Sequence, residues 1–86
     1  MDNGSSRYLV YGTDWCGFCK KAIELLKACS KEFDFLDLTG DDDYLAEVKC
    51  FYDTKTVPVI LEISHTGIVR HIGGFSDLKE EVQNEQ

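Results

Sequence analysis

The sequence predicts an α/β fold in which helices flank a four-stranded mixed sheet, in the order β-α-β-α-β-β-α. Apolar runs of strand-forming residues alternate along the chain with stretches whose apolar residues recur every three or four positions. A strand–helix–strand crossover makes its two strands parallel, whereas two strands joined by a short turn are antiparallel. With 86 residues and a hydrophobic fraction of 43%, the chain is predicted to form a single domain, residues 1–86, around one core.

The first half of the chain contains a predicted strand, helix and strand. Residues 8–11 are strand formers, and Gly12 ends the run. From Cys16 the apolar residues follow a helical period, and the predicted buried face consists of Ala22, Leu25, Leu26 and Cys29. Residues 33–38 alternate apolar and acidic side chains, which predicts the second strand.

The second half contains a predicted helix, a hairpin and a closing helix. Acidic residues 41–43 are predicted to start a helix, because negative charge stabilises a helix N-terminus. Its predicted buried stripe is Leu45, Val48, and Phe51 or Tyr52. Residues 57–63 and 68–72 are predicted to pair as a hairpin across the Thr66-Gly67 turn. After Gly73-Gly74, the spacing of Phe75, Leu78 and Val82 predicts a final helix that frays over residues 84–86.

Two cysteines separated by two residues, Cys16 and Cys19, lie between the first predicted strand and the first predicted helix. This pattern is typical of a redox dithiol. Unpaired N–H groups and the helix dipole would favour the thiolate of Cys16, which is the attacking species in disulfide exchange. Cys19 follows one turn later, within reach of a mixed disulfide formed on Cys16. The sequence therefore predicts thiol–disulfide exchange.

Composition limits the classes of partner and compartment. A net charge of −7 argues against nucleic acid, which requires a basic surface. No apolar span suited to a membrane and no signal-peptide pattern is visible in the sequence, so we expect a cytoplasmic protein without a membrane partner. A reducing compartment with one catalytic dithiol is a simpler explanation of the spacings than a disulfide scaffold. Cys29 and Cys50 are then predicted to be buried, small apolar residues on helix faces.

Three motifs carry a resemblance to the glutaredoxins, and more broadly to the thioredoxin fold. Cys16-Gly17-Phe18-Cys19 matches the family's Cys-x-x-Cys, and Thr56-Val57-Pro58 matches its Thr-Val-Pro. The segment from Gly73 to Asp77 resembles the family's Gly-Gly-x-Ser-Asp. The order and spacing of all three motifs fit, and the resemblance spans about residues 8–82.

The resemblance implies a function and a set of roles. It implies a glutathione-dependent oxidoreductase, in which Cys16 attacks protein disulfides or glutathione mixed disulfides and Cys19 resolves the protein-bound intermediate. It implies a cis peptide bond before Pro58 and a backbone at Val57 that pairs with the thiol peptide. It also implies that the protein is a monomer and that ribonucleotide reductase is one of its partners. The residues it implies for binding the glutathione tripeptide are Lys55, Thr56, Val57, Pro58, Gly74, Phe75, Ser76 and Asp77.

The chain departs from the family pattern at two places. Thr13 stands where glutaredoxins often carry a lysine, and Lys20, Lys21 and Lys55 are the available substitutes. Gly17 follows the first cysteine, where a small residue in some glutaredoxins accompanies a [2Fe–2S] cluster shared between two subunits. Two alternatives therefore stay open: a glutathione-ligated cluster carrier, and a thioredoxin-like reductase that does not use glutathione. A zinc site is not predicted, because no second Cys/His pair occurs at short spacing.

Overall fold

The computed structural model describes residues 6–84, and its elements follow the predicted order. The strands are β1 (Arg7–Gly12), β2 (Glu32–Asp37), β3 (Val59–Ile63) and β4 (Val69–Gly73). The helices are α1 (Gly17–Ala28), α2 (Asp42–Phe51) and α3 (Phe75–Asn84). The sheet order is β2-β1-β3-β4, in which β1 is parallel to β2 and antiparallel to β3, and β3 and β4 form the antiparallel hairpin. The predicted mixed sheet is confirmed.

Helices cover both faces of the sheet because the strand side chains alternate between them. On one face, α1 and α3 pack over the inward side chains of β1 and β3; this cluster comprises Tyr8, Val10, Ala22, Leu26, Ile60, Leu78 and Val82. On the other face, α2 contributes to a smaller cluster of Leu38, Val48, Val59 and Leu61. The two clusters fix the position of each helix start relative to the sheet.

Three strand ends meet at one edge of the sheet. Tyr11 near the end of β1 pairs with Val59 at the start of β3, and Ile60 pairs with Gly73 at the end of β4. The loops that leave this edge carry the dithiol, the Thr-Val-Pro segment and the double glycine. Residues far apart in sequence are thereby brought to a common surface.

The structure corrects two expectations near α2 and β3 and decides between the two alternatives for the end of the buried stripe of α2. Strand β3 begins two residues later than predicted, because Pro58 has no N–H to donate to the ladder. Phe51 is 80% exposed, and the buried stripe continues through Tyr52, which packs against the smaller cluster. Cys50 is exposed, so its predicted burial is wrong. It lies two residues after buried Val48, a rotation of about 200° around the helix.

The remaining boundaries agree closely with the sequence. Asp41 is the N-cap of α2, and its carboxylate accepts a hydrogen bond from the Tyr44 N–H at 3.3 Å. Cys29 caps the C-terminus of α1 and is partly buried against the larger cluster. Fraying was predicted over residues 84–86; Asn84 is the last residue of α3, and residues 85–86 lie outside the described residues. Among residues 6–84, no helix is long and apolar enough to cross a membrane.

Candidate active site

Cys16 is the N-cap of α1, which places its sulfur at the open end of the helix. The Cys19 N–H donates to Cys16 Sγ at 3.2 Å, and Cys16 Sγ lies 3.8 Å from the Val57 carbonyl oxygen, to which the thiol can donate. Only 6% of Cys16 is exposed. An N–H directed at the sulfur together with the helix dipole stabilises negative charge on Cys16.

Cys19 lies beneath Cys16 and is 1% exposed. Burial, followed by the hydrogen bond with Cys16, raises the pKa of Cys19 to about 12. Cys19 therefore keeps its proton at neutral pH and is a thiol in contact with the more accessible sulfur of Cys16. This difference separates an outer sulfur that can attack from an inner one that holds a proton.

Gly12, at the end of β1, makes room for the inner sulfur. A Cβ atom at Gly12 would overlap Cys19 Sγ and would lie 3.2 Å from Cys19 Cβ and 3.1 Å from Cε1 of Phe35. The first turn of α1 can approach the sheet this closely only because Gly12 has no side chain. Sequence analysis identified Gly12 as the end of a strand but not as part of the site.

A chain of hydrogen bonds anchors the loop before Cys16 to the loop after β2. The Asp14 N–H donates to Thr39 Oγ1 at 2.8 Å, and the Thr39 hydroxyl donates to Asp37 Oδ1 at 2.6 Å. The Thr39 N–H donates to the same carboxylate oxygen at 2.9 Å. The hydroxyl and then the N–H of Thr39 lower the pKa of Asp37. We call these three residues the Thr39 tether.

One groove of about 480 Å³ opens beside the dithiol. It brings together every residue that the resemblance implies for glutathione except Lys55. We call it the Asp77 groove, and its lining residues are Phe18, Thr54, Thr56, Val57, Pro58, His71, Gly73, Gly74, Phe75, Ser76 and Asp77. The Val57–Pro58 peptide bond at its floor is cis, as predicted.

The far end of the Asp77 groove is the N-terminus of α3. Gly74 accepts the first helical hydrogen bond, from the Leu78 N–H at 3.0 Å, and its own N–H donates to Asp77 Oδ2 at 3.1 Å. This is the half of a capping box in which an acidic residue three positions into the helix reaches back. The N–H groups of Phe75 and Ser76 have no acceptor within the helix, because they belong to its first turn. Gly73 is required here, since its φ is +124° and a Cβ would overlap the Asp77 carboxylate.

A second groove, of about 360 Å³, opens next to Cys16. We call it the lysine groove, and its lining residues are Trp15, Cys16, Gly17, Phe18, Lys49, Lys55, Thr56 and Val57. Lys55 therefore lies beside Cys16, in a groove that it shares with Thr56 and Val57 but not with the predicted tripeptide residues of the Gly-Gly-x-Ser-Asp segment. Lys49, in the last turn of α2, also lines this groove, and no sequence motif had indicated it.

Aromatic contacts connect the two grooves to their surroundings. The ring centroids of Phe18 and Phe75 lie 6.2 Å apart, so these two side chains connect the first turns of α1 and α3 across the Asp77 groove. The Lys21 ammonium lies 5.3 Å from the Phe18 ring centroid in a cation–π contact. Lys21 was one of the lysines that could replace the one absent at Thr13, but it lines neither groove. The ring centroids of His71 and Tyr52 lie 5.1 Å apart, and His71 adds an imidazole to the lining of the Asp77 groove.

Comparison with known proteins agrees with this geometry. A family model described as glutaredoxin matches residues 9–62. A glutaredoxin of Pseudomonas aeruginosa is 33% identical over 70 residues, which are 81% of this chain and 77% of that protein. The chain belongs to the glutaredoxin family. Glutaredoxins are thiol–disulfide oxidoreductases, and the close pair Cys16 and Cys19 is consistent with a dithiol member of that family.

Solved structures give the same fold. A dithiolic glutaredoxin from Trypanosoma brucei brucei matches with a TM-score of 0.71 at 25% identity, over 93% of this chain and 80% of that one. Buckwheat glutaredoxin in complex with glutathione matches with a TM-score of 0.75 at 19% identity, over 93% and 71%. A thioredoxin from Fasciola hepatica matches with a TM-score of 0.61 at 19% identity, over 96% and 83%. The predicted thioredoxin-like fold is confirmed for this glutaredoxin.

Proposed function

We propose that this chain is a glutathione-dependent oxidoreductase that reduces protein disulfides and glutathione mixed disulfides through Cys16 and Cys19. The observation that supports this most directly is the asymmetry of the dithiol. The outer sulfur accepts the Cys19 N–H at 3.2 Å at a helix N-terminus, and the inner sulfur is buried with its pKa raised to about 12. One sulfur is thus suited to attack and the other to hold a proton until a mixed disulfide forms.

The reduction of a protein disulfide then takes two exchanges. Cys16 thiolate attacks one sulfur of the substrate, a Cys16–substrate disulfide forms, and the other substrate sulfur leaves as a thiolate. Cys19 next gives up its proton, which passes to the substrate thiolate released in the first exchange, and attacks Cys16 Sγ, so that the Cys16–Cys19 disulfide forms and the second substrate sulfur leaves as a thiolate. The substrate gains two electrons and the protein loses two. The Cys19 N–H donates to Cys16 Sγ at 3.2 Å, so the two cysteines are already neighbours when the second exchange begins.

Glutathione returns the two electrons. One glutathione thiolate attacks Cys16 Sγ of the Cys16–Cys19 disulfide, so that a Cys16–glutathione disulfide forms and Cys19 leaves as a thiolate that takes up a proton from water. A second glutathione attacks the glutathione sulfur of that disulfide, so that Cys16 leaves as a thiolate and oxidised glutathione is released. With a glutathione mixed disulfide as substrate, Cys16 takes up glutathione directly and Cys19 is not required.

The two grooves supply groups suited to the tripeptide. The N–H groups of Phe75 and Ser76, at the positive end of α3, suit the carboxylate of its γ-glutamyl end. The Asp77 carboxylate, although it caps Gly74, is exposed and suits the ammonium group. At the other end, Lys55 and Lys49 offer positive charge to the glycine carboxylate in place of the lysine absent at Thr13. Buckwheat glutaredoxin, with this fold, forms a complex with glutathione.

A [2Fe–2S] cluster shared between two subunits would take Cys16 from each chain and the sulfur of glutathione as its ligands. Within residues 6–84, no three of the His, Cys, Asp and Glu side chains are grouped to hold a metal ion by themselves. We assign no step of the reaction to a cluster. Ribonucleotide reductase, a cytoplasmic location and a monomeric state remain proposals that rest on the resemblance and on the expectations from sequence.

Glutathione-dependent reduction of a small glutathione mixed disulfide tests this function. We expect Cys19→Ser to retain activity, because Cys16 and glutathione suffice, and Cys16→Ser to lose it. The same assay with a protein disulfide should require both cysteines. If Cys19→Ser is inactive on the mixed disulfide while the wild type is active, the dithiol is obligatory and the thioredoxin-like alternative is favoured. If the wild type accepts electrons from another thiol but not from glutathione, glutathione dependence is refuted.

A further inference from the structure

The lysine groove carries positive charge that nothing nearby neutralises, although the chain as a whole has a net charge of −7. Its lining includes Lys49 and Lys55 and, among the described residues, no carboxylate. Within residues 6–84, neither lysine forms an ion pair with an aspartate or glutamate. A cationic pair beside the nucleophile is therefore free to meet charge on an incoming molecule.

The two arginines of the described chain behave in the opposite way. Arg7 contacts Glu32 at 3.4 Å and Asp34 at 2.7 Å, and Arg70 contacts Glu62 at 2.6 Å and also Glu81. Carboxylates are thus abundant enough to pair with these cations on the sheet surface. Lys27 and Lys79 likewise form no ion pair among the described residues, so what distinguishes Lys49 and Lys55 is their position in the groove beside Cys16.

Exposed aromatic surface borders the same lysines. Trp15 is 71% exposed and Phe18 is 57% exposed, and both line the lysine groove on either side of Cys16. Large aromatic side chains left in water beside a nucleophile provide a contact area for a macromolecule, because burying them on binding is favourable. The volume of about 360 Å³ suits a few residues of an extended segment.

We propose that the lysine groove selects protein disulfides whose attacked cysteine is flanked by aspartate or glutamate. This inference rests on the proposed function and names its substrate class. The acidic segment lies in the groove with its carboxylates near Lys49 and Lys55 and its backbone against Trp15. Cys16 thiolate attacks the substrate sulfur, a Cys16–substrate disulfide forms, and the partner sulfur leaves as a thiolate before Cys19 resolves the intermediate.

The matched test uses three symmetric peptide disulfides of the form X-Gly-Cys-Gly-X, where X is Asp, Asn or Lys. The reduced protein is mixed with each peptide in the absence of glutathione, and the released peptide thiol is measured after acid quenching. The Asp-to-Lys rate ratio is the rate of reduction of the Asp peptide divided by that of the Lys peptide. Intrinsic differences in peptide reactivity cancel when this ratio for a variant is divided by the ratio for the wild type. Because glutathione is absent, the result does not depend on whether glutathione is the physiological reductant.

We expect the double variant Lys49→Gln/Lys55→Gln to lower the Asp-to-Lys rate ratio about five-fold, since an exposed ion pair typically contributes a factor of up to about five. The wild-type ratio should fall by a similar factor when salt is raised from about 20 to about 300 mM, because exposed charges are screened. The control Lys27→Gln/Lys79→Gln makes the same change in net charge on residues that line neither groove. It should alter the ratio less than about two-fold.

Two results with the variants would overturn the proposal. One is an unchanged ratio in the groove variant, including the case in which only its KM for glutathione rises, which would assign the lysines to the tripeptide alone. The other is an equal fall in the control, which would mean that the substrate senses net charge and not the groove. The Asn peptide should lie between the two charged ones, and a rate outside that interval would also refute a charge-based preference.

Discussion

Replacing Gly12 by alanine tests whether the close approach of α1 to the sheet is what shapes the dithiol. The added Cβ would overlap Cys19 Sγ and crowd Cys19 Cβ at 3.2 Å and Phe35 at 3.1 Å. The backbone of Gly12 is not in the left-handed region, so alanine adds no backbone strain. Because Cys19 and Gly12 are both buried, the neighbours cannot move into solvent and must shift within the core.

Overpacking of this kind costs about 1–3 kcal/mol. At about 2 kcal/mol, a domain of this size loses about 8–16 °C in Tm. The free energy of unfolding of the reduced protein is measured in urea at neutral pH, where linear extrapolation applies to a two-state transition. Gly17→Ala is the matched control: nothing lies within 4 Å of a Cβ at Gly17, the first residue of α1. Alanine there should stabilise the protein by about 0.5–1 kcal/mol.

Function provides the second readout for Gly12→Ala. A displaced Cys19 should slow reduction of protein disulfides, which needs the inner sulfur, more than reduction of a glutathione mixed disulfide, which does not. If Gly12→Ala is as stable as the wild type and keeps both activities, the close approach between β1 and α1 does not constrain the site. Equal losses in Gly12→Ala and Gly17→Ala would instead indicate a general effect of replacing glycine.

Two further predictions concern pH. Folding raises the pKa of Cys19 from 9.0 to about 12, so the unfolded chain releases the Cys19 proton at a lower pH than the folded protein does. The contribution of Cys19 to the free energy of unfolding is therefore fully present below about pH 9 and is lost as the pH rises towards 12. The unfolding free energy of the wild type relative to Cys19→Ser should therefore fall by about 2 kcal/mol between about pH 8.5 and 10.5, and a constant difference would contradict the assignment. Thr39→Ala removes the hydroxyl that is the main cause of the lowered Asp37 pKa, so that pKa should rise towards its ordinary value in a carbon NMR titration. Thr39→Ser keeps the hydroxyl and should leave it low, and equal values in the two variants would refute the assignment.

Local patterns were sufficient to predict most of the fold. The change from strand to helical periodicity at Cys16 and the acidic start of α2 depend on neighbouring residues, which the sequence displays directly. Cys50 was misplaced, and periodicity did not distinguish Phe51 from Tyr52, because α2 ends there and the last residues of a helix need not continue its buried face. Beyond a helix terminus, packing depends on where the chain goes next, and periodicity carries no information about that.

The site was predictable where a motif is contiguous and not where it is assembled by packing. The spacing of Asp77 after Gly74 is a capping signal that could have indicated its bond to the Gly74 N–H. Lys49 and Lys55 meet at one groove only because α2 ends above the Thr-Val-Pro segment, which no local spacing reveals. Gly12 likewise acquires its role only once α1 is docked against the sheet.

The Thr39 tether has a consequence for the energetics of exchange. By holding the Asp14 N–H at 2.8 Å, it fixes the segment that leads into Trp15 and Cys16 before any partner arrives. A loop that is already ordered loses little conformational entropy when a substrate docks, so less of the interaction free energy is consumed in organising the site. Because the loop is preorganised, most of the conformational entropy lost on binding is lost by the partner. A disulfide in a flexible segment should therefore bind with a larger entropic penalty than one held in an extended conformation.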